Sequence, residues 1–391
     1  MRAVLDGSFL TRPPSGTGVY LRELVRAMVA LEPSLDLMLI APDCPALRPS
    51  ARSAEAIAWP EMPTLGHANA AGQRLQRLGW DVVGVARAAR HQRPTLLHIP
   101  HFSAPVWSPC PLVVTIHDAI PLLIPAYRAS RGARLRLAIA RRTVQRAAIV
   151  LTPSHTAARD IERLLAIPAE RIRVTPEAAG PEYRPAEPGS ASAIRGVARR
   201  FGIPGRYIFN AGGLDVRKNL PVLLEAFARI QPHLEAPVYL VIAGAPHTTN
   251  RAVFPPLAPE IERFGLHDRV VLTGFISDSD KIALYQGAAV YATPSLAEGF
   301  GLTVLEAMAC GVPVIAANRT SLPEVVGDAG LLVEPDAAAF ADALLALLNH
   351  PDRAAILHER GLAQAATFSW ERTARLTLDA YHEAIAGQDP V

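Results

Sequence analysis

Short, nearly uninterrupted apolar runs alternate along this chain with longer stretches in which apolar positions recur every three or four residues. Runs of roughly four to eight apolar residues bounded by turn residues predict strands buried on both faces, and the longer period predicts helices packed over them. In the first half the strands fall at RAVLD, LDLMLIA, TLLHIP, LVVTIH, AIVLTP and RIRVTP, and in the second at YIFNAG, VYLVIAG, RVVLTG, AVYATP, VPVIAA and GLLVEP. Strand and helix in alternation give doubly wound parallel sheets, so the fold class is α/β. Between the halves, PEYRPAEPGS is rich in Pro and Gly and has no apolar period, which predicts a linker. The expected organisation is a domain over 1–180, a linker region over 181–205, a second domain over 206–369 and a C-terminal helical stretch over 370–391. Two such domains facing each other would leave a cleft lined by the carboxyl ends of their strands.

Composition narrows the class. A chain of 391 residues is too long for one ordinary core. Half of it is hydrophobic, yet no apolar run reaches the roughly 18 residues of a membrane span. The opening MRAVLDGSFL enters a strand without a signal-peptide apolar block, which predicts a cytoplasmic location. Cys44, Cys110 and Cys310 are odd in number and far apart, which argues against a disulfide framework or a zinc cluster. A net charge of +3 does not by itself suggest nucleic acid. The basic residues are lopsided: of 39, only Lys218 and Lys281 are lysines.

The chemistry concentrates in TPSLAEGFGLTVLEAMACGVPVI, which begins at Thr293. Glu298 lies in a loop and Glu306 in the helix that follows. Gly299 and Gly301, on either side of Phe300, let the backbone approach a ligand closely, and the N–H groups from Leu302 and Thr303 onward have no partner inside the helix. A helix start of that kind attracts phosphate, while carboxylates accept hydrogen bonds from sugar hydroxyls. A nucleotide sugar combines both. Gly311 and Pro313 end the helix before the next strand. A second cluster, NAGGLDVRKNLPVLLEAF, runs from a strand through Gly212 and Gly213 to Arg217 and Lys218, with a helix starting near Asn219. An ammonium and a guanidinium at the carboxyl end of a strand suit a diphosphate.

Together these motifs resemble the donor site of retaining glycosyltransferases with the GT-B fold, the group that includes bacterial mannosyl- and glucosyltransferases of polysaccharide assembly. The two glutamates are eight positions apart in that family, as Glu298 and Glu306 are here. The resemblance implies two Rossmann-like domains, with the C-terminal helix over 370–391 crossing back to the first, Glu298 holding the transferred sugar, Glu306 the ribose, and Lys218 the donor phosphates. One departure is Gly213, where many members carry Arg; Arg217 is expected to substitute. In the first half, the glycines of DGSFLTRPPSGTGVYLREL, Gly16 and Gly18, match the family's N-terminal glycine loop near the donor phosphates and acceptor. VVTIHDAIPLLIP ends a strand in His117 and Asp118, and family members with this pattern use the His near the reacting carbon of the sugar. His101, and with it His98, flanks another strand end where an acceptor would lie, with Asp118 a further acceptor-side candidate. Ser154 reads as a helix cap.

The implied activity is metal-independent, retaining transfer of a hexose, with mannose from GDP-mannose favoured, to a glycan or lipid-linked acceptor. It needs no cofactor beyond the donor itself. The family is generally thought to react by same-face attack within an ion pair, with covalent double displacement as the alternative. Other activities on the same fold remain open: an epimerase would act without an acceptor, a phosphorylase would require phosphate, and a binding protein would not turn over. Finally, YRASRGARLRLAIARRTVQRAAIV, residues 127–150, holds seven Arg and no acid, with Leu135, Leu137, Ile139 and Val144 interleaved. A solvated helix face and a docking surface for anionic lipid at the inner face of the membrane both fit it.

Overall fold

Among the described residues all twelve expected strands form, six in each of two sheets, and a thirteenth joins the first. The computed structural model describes residues 1–11, 15–42, 44–49, 76–246 and 250–387. The N-terminal glycine stretch is therefore described except at 12–14. The first sheet contains β1 (Arg2–Asp6), β2 (Asp36–Ala41), β3 (Cys44–Leu47), β4 (Leu96–Ile99), β5 (Leu112–Thr115), β6 (Ile149–Thr152) and β7 (Ile172–Val174). Their order is β3-β2-β1-β4-β5-β6-β7. Every pairing is parallel except β2 with β3. Strand β3, with the sequence CPAL, has no periodic pattern and ends the strand order among the described residues.

The second sheet is wholly parallel, in the order β10-β9-β8-β11-β12-β13. Its strands are β8 (Arg206–Ala211), β9 (Val238–Ala243), β10 (Val270–Gly274), β11 (Val290–Thr293), β12 (Val314–Ala317) and β13 (Leu331–Val333). Because helices cover both faces, central strands such as β11 and β12 are buried at every position, which explains their unbroken apolar runs. The core of this sheet carries a cluster of rings from Phe209, Tyr285 and Tyr291.

The chain divides into two compact units. One is Met1–Glu177 together with the segment from Ser369, and the other is Ala178–Phe368. The linker expected over 181–205 is corrected by this division. It belongs to the second unit, where Ala191–Arg200 is a helix packed on the helix Asp278–Gly287 and where Tyr183, Ala198 and Ile203 are buried. Ile194, Val197, Ala198 and Phe201 supply the helical stripe, a period that the Pro and Gly just before it obscured. The C-terminal helix Trp370–Ala386, capped by Ser369, packs on the helix Gly16–Leu31 and on β4, β5 and β6 within the first unit. Among the described residues, no helix is long and apolar enough to cross a membrane.

Candidate active site

In an open parallel sheet, ligands bind outside the carboxyl ends of the strands where the strand order reverses. In the second unit that point lies between β8 and β11, which pair directly. The loop after β8 carries Gly212, Gly213, Arg217 and Lys218, and the loop after β11 carries Glu298 and the Gly299–Gly301 turn. Topology alone therefore brings the two motifs side by side.

The Glu298 carboxylate is the hub. One oxygen accepts from Lys218 Nζ at 2.7 Å and from Ser295 Oγ at 2.8 Å; the other accepts from Arg217. Burial alone would push this carboxyl up, but the Arg217 and Lys218 charges and the hydrogen bonds from Lys218 and Ser295 outweigh it and hold the pKa at about 2. Arg217 also pairs with Asp215 at 3.2 Å. Lys218, 3% exposed, ends a 3-10 turn, Val216–Lys218, so the helix expected at Asn219 begins at Leu220 after Asn219 turns to φ 52°. Gly212, at φ 135°, is needed for this arrangement, since a Cβ there would lie 3.1 Å from Lys218 Cε. The Glu298 loop is pinned from behind: its N–H donates to Thr320 Oγ1, and Ser321 Oγ donates to the carbonyls of Glu298 and Phe300. Gly301 sits at φ 119° and caps the helix Leu302–Ala309, which starts with Leu302 and Thr303 as expected.

Glu306 projects from that helix and is 5% exposed. One oxygen accepts from Lys281 Nζ at 3.0 Å, the other from the Tyr285 hydroxyl at 2.9 Å. The Lys281 ammonium also stands over the Tyr183 ring, 5.1 Å from its centre. The two lysines of the chain are thus each paired with one of the two motif glutamates.

In the first unit the order reverses at β1, between β2 and β4. Asp6 ends β1, and its carboxylate lies 3.0 Å from His101 Nε2 and accepts from Trp80 and Ser8. His101 also packs on Phe9. The atoms of Asp6, Asp81 and His101 lie close enough to share a cation, but Asp6 already accepts from several donors, a pattern that ties loops together. His98 is fully buried, with Nδ1 2.6 Å from the Tyr381 hydroxyl and Nε2 2.7 Å from Thr115 Oγ1. Burial, helped by the nearby His117 and His101, lowers its pKa to about 3 and keeps it neutral. His117 differs. Its Nδ1 is 2.8 Å from the Glu177 carboxylate and its Nε2 is 3.2 Å from the Pro100 carbonyl, so both nitrogens face acceptors. Burial disfavours the charged ring, but Glu177, Asp118 and the carbonyl raise its pKa above the usual value. Asp118 accepts from the Ile120 N–H as a turn residue.

Gly16 and Gly18 do not form the loop that was expected. They occupy the first turn of the helix Gly16–Leu31, because the Ser15 hydroxyl accepts from the Gly18 N–H and starts the helix early. Ser154 caps the helix His155–Leu165 as expected. Sequence reasoning missed Ser295, Thr320, Ser321, Tyr285 and Glu177. Lys281 alone carried a signal, as one of two lysines among the basic residues.

Two family models cover most of the chain: Glycosyltransferase Family 4 over residues 14–181 and Glycosyl transferases group 1 over residues 201–364. O-antigen chain mannosyltransferase B of Escherichia coli is 33% identical over 76% of this chain and 76% of its own length. The chain belongs to the GT-B glycosyltransferases. Serotype-specific mannosyltransferase WbdA of Escherichia coli is 30% identical over 70% of this glycosyltransferase, a match that spans 33% of WbdA's own length. The fold matches the solved structure of sucrose-phosphate synthase from Thermosynechococcus elongatus with a TM-score of 0.75 at 20% identity, over 99% of this chain and 100% of that one.

Proposed function

We propose that this glycosyltransferase is a retaining, metal-independent mannosyltransferase that uses GDP-mannose and a glycan or lipid-linked acceptor in polysaccharide or lipopolysaccharide assembly. The observation that carries the reading is the Glu298 carboxylate held between Lys218 and Arg217 at the reversal point of the second sheet. A carboxyl with a pKa of about 2 is ionised throughout the neutral range, so it accepts hydrogen bonds from sugar hydroxyls and is a poor general acid. With both oxygens bound to cations it is also a weak nucleophile, which favours same-face attack within an ion pair over a covalent glycosyl-enzyme. Lys218 and Arg217 bring two positive charges to the place of a diphosphate, and the start of the helix at Leu302 adds backbone donors. As the glycosidic bond breaks, the leaving diphosphate gains charge, and these groups stabilise that charge most in the transition state. Within this reading His117 serves the sugar-transfer step. The choice of mannose follows from relatives named as mannosyltransferases.

For an acceptor presented on a membrane, the reading adds a docking surface on the helix Arg131–Val144. Arg131, Arg134, Arg136, Arg141 and Arg142 are exposed, as are the flanking Arg128 and Arg146, and Leu135 is 61% exposed beside them.

Assaying GDP-mannose, UDP-glucose and UDP-N-acetylglucosamine with polyprenyl-linked saccharide acceptors, in EDTA, tests the function. Mannose transfer with the α-configuration of the donor kept, read from the anomeric coupling in the product, is expected. Transfer from a UDP-sugar in preference, inversion, or loss of activity in EDTA would overturn the corresponding part.

A further inference from the structure

Lysine is scarce in this chain, and both lysines are found on the motif carboxylates. Lys218 belongs to the phosphate site already described, whereas Lys281 has no part in it. Lys281 and Tyr285 lie one turn apart on one face of the helix Asp278–Gly287 and donate to the two oxygens of the same carboxylate, Glu306. Burial and the Glu306 charge raise the Tyr285 phenol well above its ordinary value, so it remains a donor. The Tyr285 hydroxyl is also 3.1 Å from the Thr303 carbonyl in the first turn of the Glu306 helix. Tyr183 backs the ammonium with its ring. Glu306 is therefore held by a donor on each oxygen, with the Tyr183 hydroxyl a further partner.

A carboxylate offers about four lone-pair sites in all, so the donors around Glu306 leave acceptor capacity for ribose hydroxyls. A carboxylate held in one orientation presents that capacity in a fixed direction, as recognition of a ribose diol requires. If Glu306 were free to rotate, it would satisfy one hydroxyl at a time, and ordering it on binding would cost side-chain entropy.

We propose that Lys281 is a positioning residue for the ribose of the donor: with Tyr285 it fixes the Glu306 carboxylate to receive the vicinal diol, which makes the site selective for ribonucleotides over 2′-deoxyribonucleotides. The inference rests on the reading that Glu306 holds the nucleotide ribose. A purely structural ion pair between two helices would support stability but would treat both nucleotides alike.

The test measures Kd by calorimetry for GDP against 2′-deoxy-GDP, and for UDP against 2′-deoxy-UDP, with the native protein and with Lys281→Met, Lys281→Arg and Glu306→Gln. The native protein is expected to prefer the ribonucleotide by about ten-fold or more, the scale of one charged hydrogen bond. Lys281→Met should bring that ratio close to one by weakening the ribonucleotide alone, and Lys281→Arg should recover part of it. Thermal melting of each variant checks that the fold is intact; Lys281 is partly exposed, so its loss can be met by water at the site. An unchanged ratio in Lys281→Met, with Glu306→Gln abolishing it, overturns the role of Lys281 and leaves Glu306 at the ribose. An unchanged ratio in both variants overturns the ribose assignment as well, and equal loss for both nucleotides in Lys281→Met reduces the pair to a structural one.

Discussion

Replacing Glu298 with alanine takes the carboxylate away from Lys218, while Arg217 keeps Asp215. The Lys218 side chain is 4% exposed and cannot turn to water as an exposed lysine would, so it is left as an uncompensated buried charge. Glu298→Ala is expected to destabilise the protein by about 3–5 kcal/mol, measured by urea denaturation at pH 7. The same pairing makes stability depend on pH in a defined sense. The folded pKa of about 2 lies below the ordinary value of 4.5, so the contribution is complete above pH 4.5 and is lost as pH falls toward 2. Between those limits the variant should lose less stability than the native protein, and parallel acid limbs would contradict the pairing. His117 works in the other direction. Its folded pKa is raised, so its pair with Glu177 contributes fully below pH 6.5 and is lost as pH rises through the folded value. Glu177→Gln should lower the His117 titration midpoint, because an adjacent carboxylate that favours the charged ring is lost, as followed by its ring-proton NMR shifts. Residues whose identity and spacing carry chemistry, such as Glu298, Glu306 and Lys218, were legible in the sequence. Ser295, Thr320, Ser321 and Glu177 were not, because they reach the site through tertiary folding and their residue types are common in any loop.

At the level of elements, close backbone approach decides which changes are tolerated. A Cβ on Gly244, just after β9, would lie 2.3 Å from the Gly212 carbonyl oxygen in the turn that carries Lys218. Gly244→Ala must push that turn aside. It is expected to weaken GDP binding about ten-fold or more while most of the fold survives, since one atom displaced at a binding turn costs on the order of 1.5 kcal/mol or more; calorimetry beside thermal melting separates the two effects. The helix Arg131–Val144 gives a second outcome at this scale. Native protein should sediment with anionic vesicles at low salt, the triple variant Arg131→Gln, Arg134→Gln, Arg141→Gln should do so several-fold less, and GDP affinity should be equal in the two. Equal sedimentation would leave the helix a solvated face. Strands were easy to read because parallel strands buried on both faces are written as unbroken apolar runs. The helix Ala191–Arg200 was hidden by the Pro and Gly just before it, and the early start at Gly16 by glycines that usually mark loops; a serine hydroxyl overrode that preference.

For the whole molecule, the division into two units was legible from the repeat of strand and helix, and the boundaries expected at 180 and 370 fall close to Glu177 and Ser369; that 181–205 packs into the second unit was not legible, because compactness depends on which segments pack together. The first unit is assembled from two distant pieces of chain, and the second is one continuous insertion, Ala178–Phe368. Ending the chain after Phe368 removes Tyr381, and with it the partner of the buried His98, along with the face of Trp370–Ala386 that packs on β4, β5 and β6. That truncation should leave the first unit open to protease while Ala178–Phe368 still unfolds cooperatively, and protection of both would contradict the division. The same arrangement inverts the usual order on the ribosome, where domains tend to fold as they emerge, N-terminal first. Here the inserted unit is complete while the piece translated before it still waits, for roughly ten seconds or more at ordinary elongation rates, for the last helix of the nascent chain. The residues made first are the last to be locked, and during that wait it is the first sheet, with β4, β5 and β6 uncovered, that holders of nascent chains would bind.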